Sequence, residues 1–314
     1  MADIGIVIVT HNSGRVIGEC VAAALGSGAE VVVVDNASSD DSVAEARLHG
    51  VRLIQNSSNR GFATAVNQGF GALDCPYILV LNPDAILISS LDPLRMACDL
   101  AGSAGAGGLL LDSQSRPQVG FMVRRLPQPA ALILEALLLN AIWPGNPINV
   151  RYRGLDLDYS AQFHAEQPPG AFLMVRRAVW AELGGFDERF WPLWFEDVDF
   201  CRRLKERGYL LYFVPQAVAK HTGAHSISSL TLEMRRVYWY RGLLRYSAKH
   251  FSRAQFRAVC IAVVWGSCLR ALLGWAREGS PRAMAGYGHV VRLAGRFFFG
   301  RGGGTDSPVS DFPG

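Results

Sequence analysis

Short, continuous apolar runs, each closed by a cluster of polar residues, punctuate the N-terminal quarter of the chain. Ile4-Gly-Ile-Val-Ile-Val9 and Glu30-Val-Val-Val-Val34 are rich in β-branched residues, as expected of strands covered on both faces in a parallel sheet. Between them, Arg15 to Leu25 predicts a crossover helix, so the chain opens as a βαβ unit. The pattern repeats with a strand at Val51-Arg-Leu-Ile54, a helix over about Gly61 to Leu73 and a strand at Tyr77 to Leu81. The fold class that follows is α/β, a mostly parallel sheet flanked by helices.

Every one of these strands ends in polar residues: Thr10-His-Asn12, Asp35-Asn-Ala-Ser-Ser-Asp40, Gln55-Asn56 and Asn82-Pro-Asp84. Ligands of such sheets lie beyond the carboxyl ends of the strands. The same residue types also build turns and helix N-caps. For Ser38, Ser39 and Asp40, capping and binding stand as equal readings, whereas Asp35 and Asp84 are expected to function. A second acidic segment, Phe190-Trp-Pro-Leu-Trp-Phe-Glu-Asp-Val-Asp199, embeds carboxylates among aromatic residues suited to a sugar platform. Carboxylates in such positions hold a metal or take a proton. Glu196, Asp197 and Asp199 also suit the N-terminus of a helix through Phe200-Cys-Arg-Arg-Leu, and the two roles are compatible. Together with Asp84 they suggest group transfer from a phosphorylated donor; a two-carboxylate hydrolase is the competing chemistry, and it predicts no nucleotide-binding strand ends. The first strand is not followed by Gly-x-Gly-x-x-Gly, which argues against a nicotinamide enzyme, and no Gly-Lys-Ser/Thr phosphate loop occurs.

The 314 residues and 50% hydrophobic content allow one large domain plus an appendage. Six cysteines show no Cys-x-x-Cys spacing and no clustering with histidine, which predicts free thiols in a reducing compartment. The N-terminus lacks the pattern of a secretory signal, so the catalytic part is expected to face the cytoplasm. The net charge of +4 is unevenly placed: eighteen Lys and Arg against three acids lie between Arg202 and Arg301. Leu, Val, Ala and Trp interleave these charges, which points to an anionic membrane surface and away from nucleic acid. Two apolar stretches fall outside the sheet pattern. Ala130 to Trp143 is interrupted by Glu135, and Ala258 to Leu269 meets Arg270 short of the roughly 20 apolar residues of a membrane span. Ser252-Arg-Ala-Gln255 reads as a capping box opening the second helix. With Arg253, Arg257, Arg270 and Arg277 around it, this helix fits an interfacial position on an anionic leaflet. The alternative is a helical subdomain packed on the catalytic part or on a dimer mate.

Taken in order, the elements Ile-Val-Thr-His-Asn12, Val-Asp-Asn-Ala-Ser-Ser-Asp40, Asn59-Arg-Gly-Phe-Ala63 with Asn67 and Gly69, Leu-Asn-Pro-Asp-Ala85, Gly170-Ala-Phe-Leu-Met174, Gly-Gly-Phe-Asp-Glu188, Glu-Asp-Val-Asp199 with Arg203, and His221 carry a resemblance. Over roughly residues 4 to 226 the chain resembles the family 2 inverting glycosyltransferases of the GT-A fold, in particular the bacterial rhamnosyltransferase-like branch.

The resemblance implies roles. Thr10, Asn12 and Asp35 would contact the base and ribose of a nucleotide-sugar donor, and Asn59, Arg60 and Gly61 would close over the nucleotide. Asn82-Pro-Asp84 stands where the family has Asp-x-Asp, Asn82 being the departure, and Asp84 would bind Mg²⁺ or Mn²⁺ with His221 as second ligand; His225 is the competing histidine. Asp197 would be the base, Glu196 an orienting or acceptor-binding neighbour, and Trp194 part of the aromatic surround. Gly170-Ala171 would approach the acceptor or form a turn after Pro168-Pro169. Arg176, Arg177 and Arg203 are open between diphosphate and structural partners.

The implied organisation is a glycosyltransferase domain over 1–226, a basic apolar helical region over 227–300 and a flexible tail over 301–314. The implied reaction is inverting displacement, best matched to L-rhamnose from its dTDP donor, onto a glycan or polyprenyl-diphosphate-linked sugar, with the protein peripheral on the inner face of the cell membrane. The alternatives are galactosyl or N-acetylglucosaminyl transfer from a UDP-sugar, or a non-catalytic sugar-nucleotide-binding protein on the same fold.

Overall fold

The computed structural model describes residues 2–223, 230–278 and 282–300. His225, the expected boundary at 226 and the expected tail from 301 lie outside the described residues, as does the side chain of Arg277. In chain order the elements are β1 (Ile4–Thr10), α1 (Gly14–Gly26), β2 (Glu30–Asp35), α2 (Ser42–Leu48), β3 (Arg52–Gln55), α3 (Phe62–Gly71), β4 (Tyr77–Leu81), β5 (Ala85–Leu87), α4 (Asp92–Cys98), β6 (Ser103–Leu111), α5 (Pro129–Ala136), α6 (Leu139–Ile142), α7 (Pro147–Tyr152), β7 (Phe163–Ala165), β8 (Phe172–Arg176), α8 (Arg177–Leu183), α9 (Glu196–Glu206), β9 (Leu210–His221), α10 (Leu232–His250), α11 (Arg253–Glu278) and α12 (Arg282–Phe298). Two compact units divide the chain: Met1–Leu126, Arg153–Glu188 and Glu196–Ser229 form the first, and Pro127–Tyr152, Arg189–Phe195 and Leu230–Gly314 the second.

The first unit is built on a sheet of order β3-β2-β1-β4-β8-β6-β9-β5, with β7 also paired to β9. The βαβ strands β1 to β4 are parallel, as their apolar runs predict. β8 enters antiparallel between β4 and β6, so the sheet beyond β4 is mixed. Successive strand residues point to opposite faces, and both faces here are covered. Ile6, Ile8, Val31, Val33, Leu79 and Leu81 join one core cluster, and Val7, Val9, Val32, Val34, Ile78 and Val80 join the other. Burying each such side chain contributes about 1.5–3 kcal/mol, which explains why the runs are continuous rather than alternating. On the second face Trp180 stacks on Phe70 at 3.7 Å and packs against Phe186 and Phe200, locking α3, α8 and α9 together. Arg203 extends this lock: it pairs with buried Asp199 at 2.8 Å and donates to Leu183 O and Gly185 O, so its role here is structural. Arg176 donates to Ser103 O and Arg177 pairs with Asp74, likewise away from the strand ends that carry the candidate residues.

The second unit is helical. The first apolar stretch breaks at Leu138, whose φ of 65° separates α5 from α6. The second stretch lies within α11, whose start is the expected capping box: Ser252 N donates to Gln255 Oε1 at 3.0 Å and Gln255 N to Ser252 Oγ at 3.4 Å. Arg270 does not end this helix. Its guanidinium turns onto the carbonyl oxygens of Glu135 and Ala136 at the end of α5, and the apolar sequence runs on, leaving Arg253–Ala276 long and apolar enough to cross a membrane by length and composition.

Gly69 on α3 faces Val7 of β1 so closely that any side chain would overlap the valine methyls. Gly69→Leu is predicted to destabilise the protein by about 1–3 kcal/mol through overpacking, measured as a lowered urea midpoint at unchanged m-value.

Candidate functional site

Register places the first group of candidates. Thr10, Asp35 and Gln55 lie side by side at the carboxyl ends of β1, β2 and β3. Thr10 is fully buried, and its Oγ1 has no hydrogen-bond partner among the described residues. Asp35 accepts the Ser38 N–H at 3.2 Å, folding the polar loop back over the strand end. Asn12, at φ 54°, donates its N–H to Ser38 Oγ and accepts from Ser39 N at 2.8 Å. Asp40 accepts from Gly14 N, at the start of α1, and from Ser42 N, at the start of α2, so its observed contacts are capping ones; burial opposes the lowering of its carboxyl pKa by these bonds, and the bonds prevail.

A residue not singled out by sequence organises this edge. Asn36 donates to Gly61 O at 3.1 Å and accepts from Arg60 N and Asn56 Nδ2, tying the ends of β2 and β3 to the loop before α3. Asn59 accepts from Gly61 N at 2.9 Å. Gly61 has φ 86° and ψ 157°, a region open essentially to glycine alone. The Arg60 side chain is exposed. The segment Asn59, Arg60 and Gly61 is thereby held beside Asp35, although the sequence gives no sign that Asn36 is the tie.

The second group assembles across the sheet. β5 runs antiparallel to β9 with Ala85 opposite His221, so Asp84 and His221 are neighbours although far apart in sequence. Asp84 Oδ1 stands 3.4 Å from His221 Nε2, and both side chains are 4% exposed. Asn82 Nδ2 lies 3.2 Å from the same nitrogen. No group of three His, Cys, Asp or Glu suited to a metal occurs among the described residues. A carboxylate and an imidazole do converge, and two protein ligands fit a cation that takes its remaining oxygens from water and a ligand's phosphates.

The third group is the start of α9. Asp197 is half-buried; its Oδ2 accepts from Gly170 N at 2.9 Å and Gln167 Nε2 at 3.4 Å, and its Oδ1 from Val198 N at 2.8 Å. Burial raises its carboxyl pKa, with the Gly170 and Val198 N–H groups and the Arg124 charge opposing. Glu196 is buried, and desolvation followed by the Asp197 charge pushes its carboxyl well up; its Oε2 has no hydrogen-bond partner among the described residues. Burial thus disfavours charge at both carboxyls, and the Asp197 charge adds to that at Glu196. Trp194 belongs to the second unit, where its carbonyl packs against Gly242 of α10, and its φ is 77°.

The second and third groups share one support. Asn82 N donates to Ala171 O at 3.0 Å, and Gly170 N donates to Asp197, so consecutive residues join the Asp84–His221 corner to the carboxylate on α9. Pro169 to Phe172 form the turn expected after the two prolines. Gln118 and Phe121, in a loop to which the sequence pattern assigned nothing, also reach His221.

The Glycosyl transferase family 2 model matches residues 5–92. The chain is 31% identical over 253 residues to the N-acetylglucosaminyl-diphospho-decaprenol L-rhamnosyltransferase of Mycobacterium tuberculosis, covering 70% of this chain and 79% of that protein. It is 26% identical over 201 residues to rhamnosyltransferase WbbL of Escherichia coli, covering 61% of this chain and 69% of the relative. Among solved structures it resembles a Pyrobaculum calidifontis mannosyltransferase in complex with GDP-Man and Mn²⁺, at TM-score 0.52 and 15% identity over 94% of this chain and 85% of that one. It also resembles GalNAc-T7 with UDP, GalNAc and Mn²⁺, at TM-score 0.54 and 14% identity over 79% of this chain and 48% of that one.

A raised Asp197 carboxyl abstracts a proton only above its shifted pKa. Any turnover that uses it is predicted to rise with pH through a midpoint above the ordinary value of about 3.9, read from the acid limb of kcat/KM. Asp197→Asn is expected to lower kcat by about 100-fold or more while ligand affinity, measured by calorimetry, is retained.

Proposed function

Since the chain belongs to glycosyltransferase family 2 and has the GT-A fold, we propose that it transfers L-rhamnose from dTDP-L-rhamnose to a polyprenyl-diphosphate-linked sugar by one inverting displacement. The observation that carries this reading is the Gly170–Ala171 bridge, which sets a carboxylate with a raised pKa next to a corner suited to a diphosphate and its cation. Similarity to two rhamnosyltransferases, one of them named for a decaprenyl-diphosphate-linked acceptor, supports the choice of sugar and acceptor class.

In this reading the acceptor hydroxyl gives its proton to Asp197 as its oxygen bonds to the anomeric carbon. The bond from that carbon to the diphosphate oxygen breaks, and its electron pair leaves with the nucleoside diphosphate. Attack opposite the leaving group inverts the anomeric centre. Gly170 and Val198 N–H groups aim the carboxylate, and burial together with the Asp197 charge disfavours a second negative charge on Glu196 beside it. Thr10, Asn12 and Asp35 receive the nucleoside, with Asn59, Arg60 and Gly61 beside it. Asp84 and His221 would hold Mg²⁺ or Mn²⁺, whose chemistry at such a site is neutralisation of the diphosphate charge. Gly170 and Ala171, on the acceptor side, complete the assignment.

The second unit supports a membrane-bound acceptor. On α11, Ile261, Trp265, Leu269, Leu272 and Trp275 are each 42–69% exposed, while Val259 and Val263 are buried. This exposed face is apolar beyond Arg257, and Arg253 and Arg257 precede it. A second copy laid on this face would bring like charges together; an anionic leaflet accepts both the apolar face and the arginines. The helix thus lies in the cytoplasmic interface, with its other face in the protein.

Radiolabelled nucleotide sugars offered with a lipid-linked acceptor are predicted to give product from dTDP-L-rhamnose and none after EDTA treatment; turnover from a UDP-sugar alone would overturn the donor assignment. Asp84→Ala is expected to weaken metal-dependent nucleotide binding by about 10-fold or more in calorimetry. In flotation with vesicles containing about 30% anionic lipid, the full chain is expected to float, and the double change Trp265→Glu and Leu272→Glu to remain at the bottom. Equal recovery of both at the bottom, with a dimer in solution that the double change dissociates, would assign the face to a second copy.

A further inference from the structure

The loop after β6 grips His221 from two sides. Gln118 Nε2 donates to the His221 backbone carbonyl at 2.8 Å, and Gln118 Oε1 lies 3.0 Å from His221 Nδ1. Phe121 stacks on the imidazole at 5.3 Å between ring centroids, with the ring planes 7° apart. The loop is itself pinned: Gln118 N donates to Leu110 O of β6, and Gln118 O accepts from Phe121 N and Met122 N. Neither residue contributes to the hydrophobic clusters, and neither belongs to the proposed machinery.

The amide orientation is not arbitrary. A carbonyl oxygen only accepts, so the Gln118 atom facing the His221 carbonyl must be its NH₂, and the oxygen must then face the ring. An amide oxygen also only accepts, so the ring nitrogen facing it must carry a hydrogen. In the neutral ring Nε2 then keeps its lone pair, with Asp84 Oδ1 3.4 Å and Asn82 Nδ2 3.2 Å away. We infer that Gln118 is a positioning residue: it holds His221 in the Nδ1–H tautomer, with Phe121 fixing the ring plane, so that Nε2 and Asp84 Oδ1 present two lone pairs to one point. A divalent cation is the species that fits between two such acceptors. This inference rests on the metal reading above for its purpose, but not for the tautomer itself.

The test uses the full chain labelled with ¹⁵N-histidine, at about pH 8, above the ordinary imidazole value of about 6.5. Long-range ¹H–¹⁵N spectra distinguish the tautomers, and His221→Gln identifies the resonances. His221 is expected to show a protonated Nδ1 and a bare Nε2. Gln118→Leu is expected to shift His221 toward the Nε2–H form and to weaken Mn²⁺ binding, titrated with dTDP by electron paramagnetic resonance, about 10-fold. An Nε2–H tautomer in the parent, or the same tautomer in the parent and Gln118→Leu, would overturn the inference. If Mn²⁺ with dTDP leaves the His221 resonances unbroadened while the tautomer responds as expected, the metal assignment falls and the positioning role of Gln118 stands.

Discussion

Two hydrogen bonds from adjacent peptide units, Asn82 N–H to Ala171 O and Gly170 N–H to Asp197, set the geometry on which the site depends. The first continues the β4–β8 ladder one step past its end, where Leu81 faces Phe172. The second anchors the opening turn of α9. Because both belong to one turn, the carboxylate that would take a proton and the corner that would hold a diphosphate cannot drift independently. An error of about 1 Å in such a relation is enough to lower a rate by about two orders of magnitude. The support is backbone, so it is indifferent to most side-chain changes nearby.

Burial then sets the electrostatics. At the start of α9 two adjacent carboxyls sit in buried surroundings that disfavour charge. At Asp197 donors on both oxygens oppose that tendency; at Glu196 the neighbouring negative charge reinforces it. One environment thus separates two adjacent carboxyls into an aimed acceptor and a neighbour whose charge is more strongly disfavoured.

The parts of this arrangement that sequence reveals are those governed by local rules. β1 to β4 are found within a residue of the apolar runs; β1, β2 and β4 are buried on both sides and so apolar nearly throughout, whereas β3 is a half-exposed edge. α1 and the capping box of α11 follow from composition in the same way. Asp84, Asp197 and His221 are recognisable by motif, but the pairing of Asp84 with His221 is not. It is created by β9, whose ladder with β6 shifts register between Gly108 and Leu109, near Pro215 and Gln216 of the partner strand, and no period survives such an interruption. The Ala- and Gly-rich β6 lacks β-branched residues and reads as no strand at all. Gln118 and Asn36 escaped for a further reason: one glutamine or asparagine in a loop has no signature until its partners are in place. Arg270 misled in the opposite direction, because a charge within an apolar run looks like a terminus unless carbonyl groups are known to receive it.

Asn36 bridges three segments that meet a nucleoside in the proposed reading. Chain tied by its own hydrogen bonds has surrendered its conformational freedom during folding, so a ligand arriving there encounters little disorder to remove. The attraction between pocket and ligand is then expressed nearly in full as affinity, and departure becomes slow unless something else loosens the loops. Release of the spent nucleotide, rather than its capture, is the event such an arrangement makes difficult.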